Sequence, residues 1–144
     1  MSEADKVAQR VAEAMLAREG TGPAWGVAIE EAREGYARIR MAVRPDMLNG
    51  HAMTHGGMVF ALADTAFAYA CNSRNVATVA QSATIHFLAP SKAGDVLVAE
   101  AEEAELVGRS GVYRISVRTA DGAPIAEFTG LSRSIGGPVI EASA

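Results

Sequence analysis

The sequence predicts an α+β protein in which a curved antiparallel sheet covers one long helix. From Met58 onward a run of Phe, Ala, Leu, Met and Tyr without Pro or Gly predicts a helix that is apolar almost all round and therefore buried. Several other segments alternate apolar with polar residues, as strands with one covered face do. Short turns that contain glycine separate these segments, which favours antiparallel neighbours.

The predicted elements follow in chain order. An amphipathic helix spans residues 2–18 and is ended by the residues 20–23, Gly-Thr-Gly-Pro. The loop 45–54 leads into the long helix, and residues 136–144 are expected to form a flexible tail. Six strands are predicted at 25–34, 36–44, 76–88, 95–106, 111–119 and 124–135.

Length and composition limit the class of protein. The 144 residues fit one domain, 1–144, of which 1–22 form the N-terminal helix and its turn. A net charge of -4 without a basic stripe argues against nucleic-acid binding. The lone Cys71 excludes an intrachain disulfide framework. No apolar stretch suits a signal peptide or a membrane span, so we expect a cytoplasmic protein that does not contact a membrane.

Asp64 stands out inside the apolar helix, on the face that also carries Phe60, Ala61, Phe67 and Ala68. An ionised carboxylate in such surroundings destabilises the fold unless it is paired, hydrogen-bonded or needed for function. Two interpretations follow from the residues alone. Asp64 is either a catalytic base or nucleophile, or a carboxylate paired with an arginine or with backbone N–H groups of a strand.

The pair Gly56 and Gly57 opens the long helix. The first N–H groups of a helix have no partner within it, and the helix dipole favours negative charge there. Residues without side chains also let a substrate oxygen approach the backbone. The Gly56 N–H is therefore a candidate donor to an oxyanion, and the alternative is that both glycines only form a tight turn.

The loop before the helix adds two further candidates. Asn49 is a donor for a carbonyl or a partner for an attacking water, or else an asparagine that satisfies its own turn. His55 either contacts a ligand or clamps the loop against the helix start. His51 is interpreted as structural, and His51, His55 and His86 do not form a persuasive metal site because no second acidic ligand accompanies them.

The run N-G-H-x-x-x-H-G-G-x-x-F-x-L-A-D-x-A-F-A-Y-A-C-N-S at residues 49–73 resembles the hotdog-fold acyl-CoA thioesterases, in particular the PaaI-like branch of phenylacetate degradation. The resemblance continues through F-L-x-P at 87–90 and G-V-Y at 111–113, and covers roughly 25–136. His86 departs from it, because many relatives have an acidic residue there. The resemblance implies hydrolysis of acyl-CoA, with phenylacetyl or ring-hydroxylated phenylacetyl as the acyl group, and places Asn49 and His55 beside the reacting carbonyl.

Further contacts with the substrate are predicted, those with the phosphates from the basic residues available at the ends of elements. Gly57, Phe60, Phe67 and Ala68 are predicted to bind the acyl group. The coenzyme A phosphates are predicted to contact Arg74, Lys92 and Arg109, although ordinary solvated charges are the alternative for each of these three. Hydrolysis through Asp64 as base or as nucleophile needs no cofactor and no metal.

Helix geometry bears on the assembly. Gly56 and Asp64 are eight residues apart, which is about 12 Å along a helix at ~1.5 Å per residue. A base and an oxyanion donor that act on one carbonyl need to be nearer, at about 6 to 8 Å. The sequence therefore predicts a site shared between two subunits of a homo-oligomer, at least a dimer and by expectation a dimer of dimers.

Two other functions remain open at this point. A hydroxyacyl dehydratase of the same fold needs a histidine and an acid on one substrate, and His55 lies at the wrong distance from Asp64 within one chain. A non-catalytic acyl-CoA sensor has no use for a carboxylate opposite a thioester. Both are less consistent with the sequence than a thioesterase.

Overall fold

The computed structural model describes residues 1–141 and confirms the predicted α+β architecture. Three α-helices, α1 (Glu3–Arg18), α2 (Thr21–Trp25) and α3 (Gly56–Cys71), accompany a short 3-10 helix at Pro45–Met47. The six strands are β1 (Ala28–Arg33), β2 (Tyr36–Ala42), β3 (Thr78–Phe87), β4 (Val96–Val107), β5 (Ser110–Thr119) and β6 (Pro124–Ser134). Strands β2 to β6 begin and end within two residues of the predicted positions.

The six strands form one sheet with the order β1-β2-β4-β5-β6-β3, and every neighbouring pair is antiparallel. The predicted meander is β4-β5-β6. β3 follows the central helix in the chain and pairs with β6, which puts it at an edge of the sheet. Most residues of β3 are exposed, including Val79 and Phe87. This edge is therefore available for pairing with another chain.

Helix α3 packs across the concave side of the sheet and contacts all six strands. One helix reaches so many strands only if the sheet curves around it. Helix α3 is buried, as predicted, on the side that faces the sheet, but not on every side of the single chain. One side is buried, with Leu62, Ala66 and Phe67 in the core, while Ala61, Asp64, Ala68 and others form a half-buried stripe on the opposite side.

The strand predicted at 25–34 begins three residues later than expected, because 21–25 form the short helix α2. Gly22 packs so closely against α1 that a Cβ there would lie 2.2 Å from the side chain of Leu16. Gly26 then ends α2 with a φ of 67°. Glycine adopts this left-handed conformation without steric cost, so the chain turns at Gly26 and enters β1.

The N-terminal helix α1 is capped by Ser2, whose Oγ accepts a hydrogen bond from the Asp5 N–H at 3.0 Å. Its buried residues Ala8, Val11 and Ala12 pack on the rest of the domain. Beyond its end, the Glu19 carboxylate accepts a hydrogen bond from the Tyr69 hydroxyl of α3. Helix α1 is thereby fixed to both the sheet and the central helix.

Residues 136–141, which the sequence predicts to be part of a flexible tail, make hydrogen bonds to the rest of the chain. The side chain of Asn75 accepts hydrogen bonds from the Val139 and Ile140 N–H groups, both at 2.9 Å, and donates to the Ile140 carbonyl. Arg18 of α1 donates to the Val139 carbonyl at 2.8 Å. Residues 142–144 of the predicted tail lie outside the described part of the chain. Among residues 1–141 no helix has the length and apolar character that a membrane span requires.

Candidate active site

A cavity of about 360 Å³ opens at the N-terminal end of α3. One wall is the loop before the helix, and the other is the segment that follows β3. The lining residues are Asn49, Met53, Thr54, Gly56, Val59, Phe87, Leu88, Ala89, Pro90, Ser91 and Ile125. The cavity thus combines an apolar surface with a few polar groups at a helix N-terminus, which is typical of a small-molecule site.

Gly56 is the first residue of α3 and lies on the cavity wall. Its N–H has no acceptor among residues 1–141, whereas the N–H of Gly57 donates to His55 Nδ1 at 2.9 Å. A Cβ on Gly56 would lie 3.2 Å from the ring of Phe87, so a side chain would crowd the cavity. The geometry leaves the N–H of Gly56 free at the positive end of the helix dipole.

His55 is the N-cap residue of α3. Because Nδ1 accepts the Gly57 N–H, the neutral ring carries its proton on Nε2. The His55 N–H donates to the Met47 carbonyl at 2.8 Å, which ties the helix start to the preceding loop. The contacts place His55 as the residue that shapes the helix terminus.

Asn49 lies in the loop that forms one wall of the cavity, and this loop folds around the Asn49 side chain. Its Oδ1 accepts the N–H groups of His51 at 2.9 Å and Met53 at 3.2 Å, and its backbone N–H donates to the Met53 carbonyl at 2.7 Å. The side-chain NH2 group has no acceptor within residues 1–141. Since the oxygen is already used, Asn49 has only a hydrogen-bond donor left to offer a ligand.

Asp64 is half-buried on the open stripe of α3, and its carboxylate makes no hydrogen bond or ion pair with any residue in the described range 1–141. Burial raises the pKa of Asp64 above its ordinary value of 3.8. Glu103, another partly buried carboxylate, behaves differently, because it pairs with Arg74 and its pKa is lowered. The structure therefore excludes, within the described chain, the interpretation of Asp64 as one half of an arginine pair.

Gly56 and Asp64 are not brought together within one protomer. Both lie on α3, about 12 Å apart along its axis, and Asp64 does not line the Gly56 cavity. Asn49 and Gly56 do share the cavity.

The residues predicted to contact the acyl group are divided between core and surface. Phe67 belongs to the hydrophobic core, with 1% of its surface exposed and its ring against Tyr113 and Phe128. Phe67 does not line the cavity, and its contact with the acyl group stays a prediction. Phe60 is half-buried and packs edge-on against Phe128 at 5.2 Å between ring centroids. Ala68 lies on the open stripe beside Asp64, and Gly57 is exposed at the helix start.

The three basic residues predicted to contact coenzyme A have different surroundings in the structure. Arg74 lies at the far end of α3, where its guanidinium holds Glu103 at 2.6 and 3.0 Å and Glu34 at 3.3 Å. These ion pairs compete with a phosphate for the guanidinium, and the contact of Arg74 with coenzyme A stays a prediction. Arg109 is exposed in the turn between β4 and β5. Lys92 follows Ser91 of the cavity wall, is largely exposed and contacts Asp95 at 3.6 Å.

Within residues 1–141 no cluster of three or more His, Cys, Asp or Glu side chains is placed to hold a metal ion. His51, His55 and His86 are all exposed, His51 and His55 in the loop before α3 and His86 on β3. The histidines thus take no shared role in the cavity.

Residues 51–126, more than half of the chain, match the family model described as the thioesterase superfamily. The chain belongs to the thioesterase superfamily. It is 44% identical to the acyl-coenzyme A thioesterase PaaI of Escherichia coli (strain K12) over 128 residues, which cover 89% of this chain and 91% of that protein. The region that matches the family model includes both Gly56 and Asp64.

Solved structures place this thioesterase among the hotdog folds, as predicted. The structure of the E. coli PaaI protein from the phenylacetic acid degradation operon superposes with a TM-score of 0.92 and 43% identity, covering 94% of this chain and 99% of that one. A variant of the phenylacetic acid degradation protein PaaI from Thermus thermophilus gives a TM-score of 0.78 and 35% identity, covering 81% of this chain and 100% of that one.

Sequence reasoning missed several residues that line the cavity of this thioesterase. Thr54, Ser91 and Ile125 come from three separate parts of the chain, and nothing in their local patterns marks them. The available signal was the F-L-x-P run at 87–90, which contains Phe87, Leu88 and Pro90 of the cavity wall. The sequence did not show that this run lies against the loop before α3.

Proposed function

We propose that this thioesterase hydrolyses acyl-CoA thioesters to the free acid and coenzyme A. The free N–H of Gly56 on the wall of an apolar cavity is the observation that carries the proposal. The E. coli relative is named an acyl-coenzyme A thioesterase, and two similar structures are described as phenylacetic acid degradation proteins. These descriptions support phenylacetyl-CoA or ring-hydroxylated phenylacetyl-CoA as the substrate.

The chemistry follows from the two ends of the proposed site. The Gly56 N–H stabilises the negative charge that develops on the carbonyl oxygen, aided by the dipole of α3. The NH2 group of Asn49 is the second donor to that oxygen, because its own Oδ1 is occupied. Asp64 either removes a proton from the attacking water, or attacks the carbonyl carbon itself to form a mixed anhydride that a water molecule then opens at the Asp64 carboxyl carbon to release the acid. In both routes the C–S bond breaks, coenzyme A leaves as a thiolate that takes up a proton, and no cofactor takes part.

Hydrolysis in oxygen-18 water distinguishes these two routes. In a single turnover, label that enters the Asp64 carboxylate indicates a covalent anhydride, and unlabelled Asp64 indicates activation of water.

A site shared by two protomers is part of the proposal. Asp64 points out of the half-buried stripe of α3 rather than into the Gly56 cavity of its own chain, and the edge strand β3 exposes its pairing groups together with Val79 and Phe87. A two-fold partner that pairs along β3 would cover both features and bring its own Asp64 towards Gly56. We propose such a dimer, two of which form a tetramer, in the cytoplasm.

Release of free thiol from a panel of acyl-CoAs tests the function. We expect turnover of phenylacetyl-CoA and hydroxyphenylacetyl-CoA, and slower turnover of straight-chain acyl-CoAs. Loss of the double bond of an enoyl-CoA without thiol release would instead show a dehydratase. Tight binding without turnover of any substrate would show a sensor.

Complementation between inactive variants tests the shared site. Pro at the first position of a helix removes the N–H without breaking the helix, and the φ of -59° and ψ of 133° at His55 suit a residue before Pro. We expect Gly56→Pro and Asp64→Ala each to lose activity by about 10²-fold or more. Unfolding and refolding the two variants together yields heterodimers with one intact site, so about a quarter of the wild-type activity returns.

The control is each variant refolded alone, which stays inactive. Heterodimer formation is measured by mass after tagging one variant. If heterodimers form and activity does not return, the two groups do not act across an interface.

A further inference from the structure

Two buried hydroxyls join the opposite walls of the cavity. Ser91 Oγ donates to Thr54 Oγ1 at 2.6 Å, and the Thr54 N–H donates to the Ser91 carbonyl at 2.9 Å. Thr54 is 7% exposed and Ser91 5% exposed, so water competes little for these bonds. Neither residue has a role in the sequence motif, yet both line the cavity.

The wall that carries Ser91 is fixed to the sheet. The Leu88 N–H donates to the Ile125 carbonyl at 2.8 Å, which ties the segment after β3 to β6. Farther along, the Gly94 N–H donates to the Val43 carbonyl at 2.9 Å and the Val43 N–H to the Asp95 carbonyl at 2.8 Å. Ser91 therefore lies between two anchored points and has a fixed position relative to the sheet.

The wall that carries Asn49 is a tight loop that follows Met47, whose side chain is buried in the core and whose carbonyl accepts the His55 N–H. Its internal bonds to Asn49 set its shape, and Ala52 takes a left-handed φ of 59° that a residue with a side chain adopts only when its surroundings impose it. The loop is closed by the bridge between Leu48 and Thr54. Internal bonds do not fix where the loop lies relative to the facing wall, and the Thr54 contacts to Ser91 do.

We propose that Thr54 and Ser91 are a positioning pair for the reaction, which hold the Asn49 NH2 group at the distance from the facing wall that catalysis needs. This inference rests on the proposed function. The pair acts through Asn49 and not on the reacting atoms. A displacement of about 1 Å at a catalytic group lowers turnover by as much as ~10²-fold, so loss of a cross-wall hydrogen bond is large enough to matter.

Kinetics of isosteric variants test the pair. Thr54→Val removes the hydroxyl and keeps the side-chain shape, and Ser91→Ala removes its partner. We expect each to lower kcat by about 10-fold with KM within about twofold, because the donor is misplaced while substrate contacts remain. Thr54→Ser keeps the hydroxyl and restores kcat. The matched control is Ser132→Ala, which removes another buried serine hydroxyl, bonded to the Gly111 carbonyl away from the cavity. Its kcat stays at the wild-type value.

A double-mutant cycle separates positioning from mere structure. In an Asn49→Ala background Ser91→Ala is expected to cause no further loss of kcat, because the group it positions is gone. Equal losses in both backgrounds, or an unchanged kcat in Thr54→Val, would overturn the proposal. If Asn49→Ala and Asp64→Asn keep full activity, the proposed catalytic site fails instead.

Amide hydrogen exchange gives a readout that does not depend on activity. Thr54→Val is expected to raise exchange in residues 48–55 relative to the rest of the chain, whereas Ser132→Ala is expected to leave that loop unchanged. Unaltered protection of residues 48–55 in Thr54→Val would show that the pair does not hold the loop and would overturn the inference. This measurement requires no substrate.

Discussion

We expect the substitution Asp64→Asn to lower kcat by about 10³-fold, measured as thiol release from phenylacetyl-CoA. The amide keeps the size of the side chain and removes its ability to accept a proton or to attack a carbonyl. The carboxylate has no partner within residues 1–141 that the change could disturb. The loss therefore measures chemistry rather than structure.

The pH dependence of the wild-type activity also tests the catalytic role of Asp64. Burial raises the pKa of Asp64, so the acid limb of kcat/KM lies above 3.8, the ordinary value for an aspartate. Activity rises as the pH passes through this raised pKa, because the ionised form is the active one. The residual kcat/KM of Asp64→Asn is expected not to fall at acid pH in this way.

Stability supplies the control for this variant. Because the folded state binds the Asp64 proton more tightly than the unfolded chain, this group favours folding at low pH, and that contribution is lost as the pH rises through its raised pKa. Asp64→Asn removes an unfavourable buried charge at neutral pH, so Tm is expected to stay equal or to rise. Asp121→Asn, which changes an exposed turn carboxylate, keeps wild-type kcat. Full activity in Asp64→Asn would show that Asp64 has no catalytic role.

Gly130→Ala is expected to have the largest effect on folding. Gly130 lies on β6 under the central helix, and a Cβ at this position would lie 2.6 Å from the ring of Phe67. The ring has no free space, because it packs against Tyr113 and Phe128 and is 1% exposed. Overpacking of this kind destabilises a core by about 3 kcal/mol. Chemical denaturation measures the change in the free energy of unfolding.

A second substitution tests the cause. Phe67→Leu removes the ring that the new methyl group meets, so Gly130→Ala is expected to destabilise a Phe67→Leu chain by less than it destabilises the wild type. The control Gly20→Ala adds a methyl group where no atom lies within 4 Å and is expected to be close to neutral. Equal destabilisation by Gly130→Ala in both backgrounds would show that the new methyl group does not act through the Phe67 ring.

The fold could be predicted from the sequence largely because local patterns and tertiary structure agree. Alternation in β2 and β4 to β6 and the apolar run of α3 reflect the face that each element buries, which is why their limits were close to correct. The start of β1 could not be predicted, since the contact of Gly22 with Leu16 that favours a helical turn there is made by another element. The hydrogen bonds of Val139 and Ile140 to Asn75 could not be predicted for the same reason, because Asn75 lies more than 60 residues away in the chain.

The candidate site was less accessible from the sequence. A pair of glycines at a helix start and a charged residue in an apolar helix are both unusual for their positions, so Gly56 and Asp64 could be singled out without a structure. Helix periodicity did not separate Phe67, which faces the sheet, from Asp64, which does not, because an almost wholly apolar helix carries little contrast between its faces. The hydroxyl pair of Thr54 and Ser91 is invisible in the sequence, because it arises only where two distant segments meet.

The edge position of β3 affects how the stability of this protein is measured. In the proposed dimer, association buries the apolar side chains that β3 exposes in the single chain, so unfolding and dissociation share one equilibrium governed by mass action. The thermal midpoint then depends on protein concentration. Free energies for Gly130→Ala and its controls therefore refer to a common standard state only when every variant is unfolded at the same molarity of protomer.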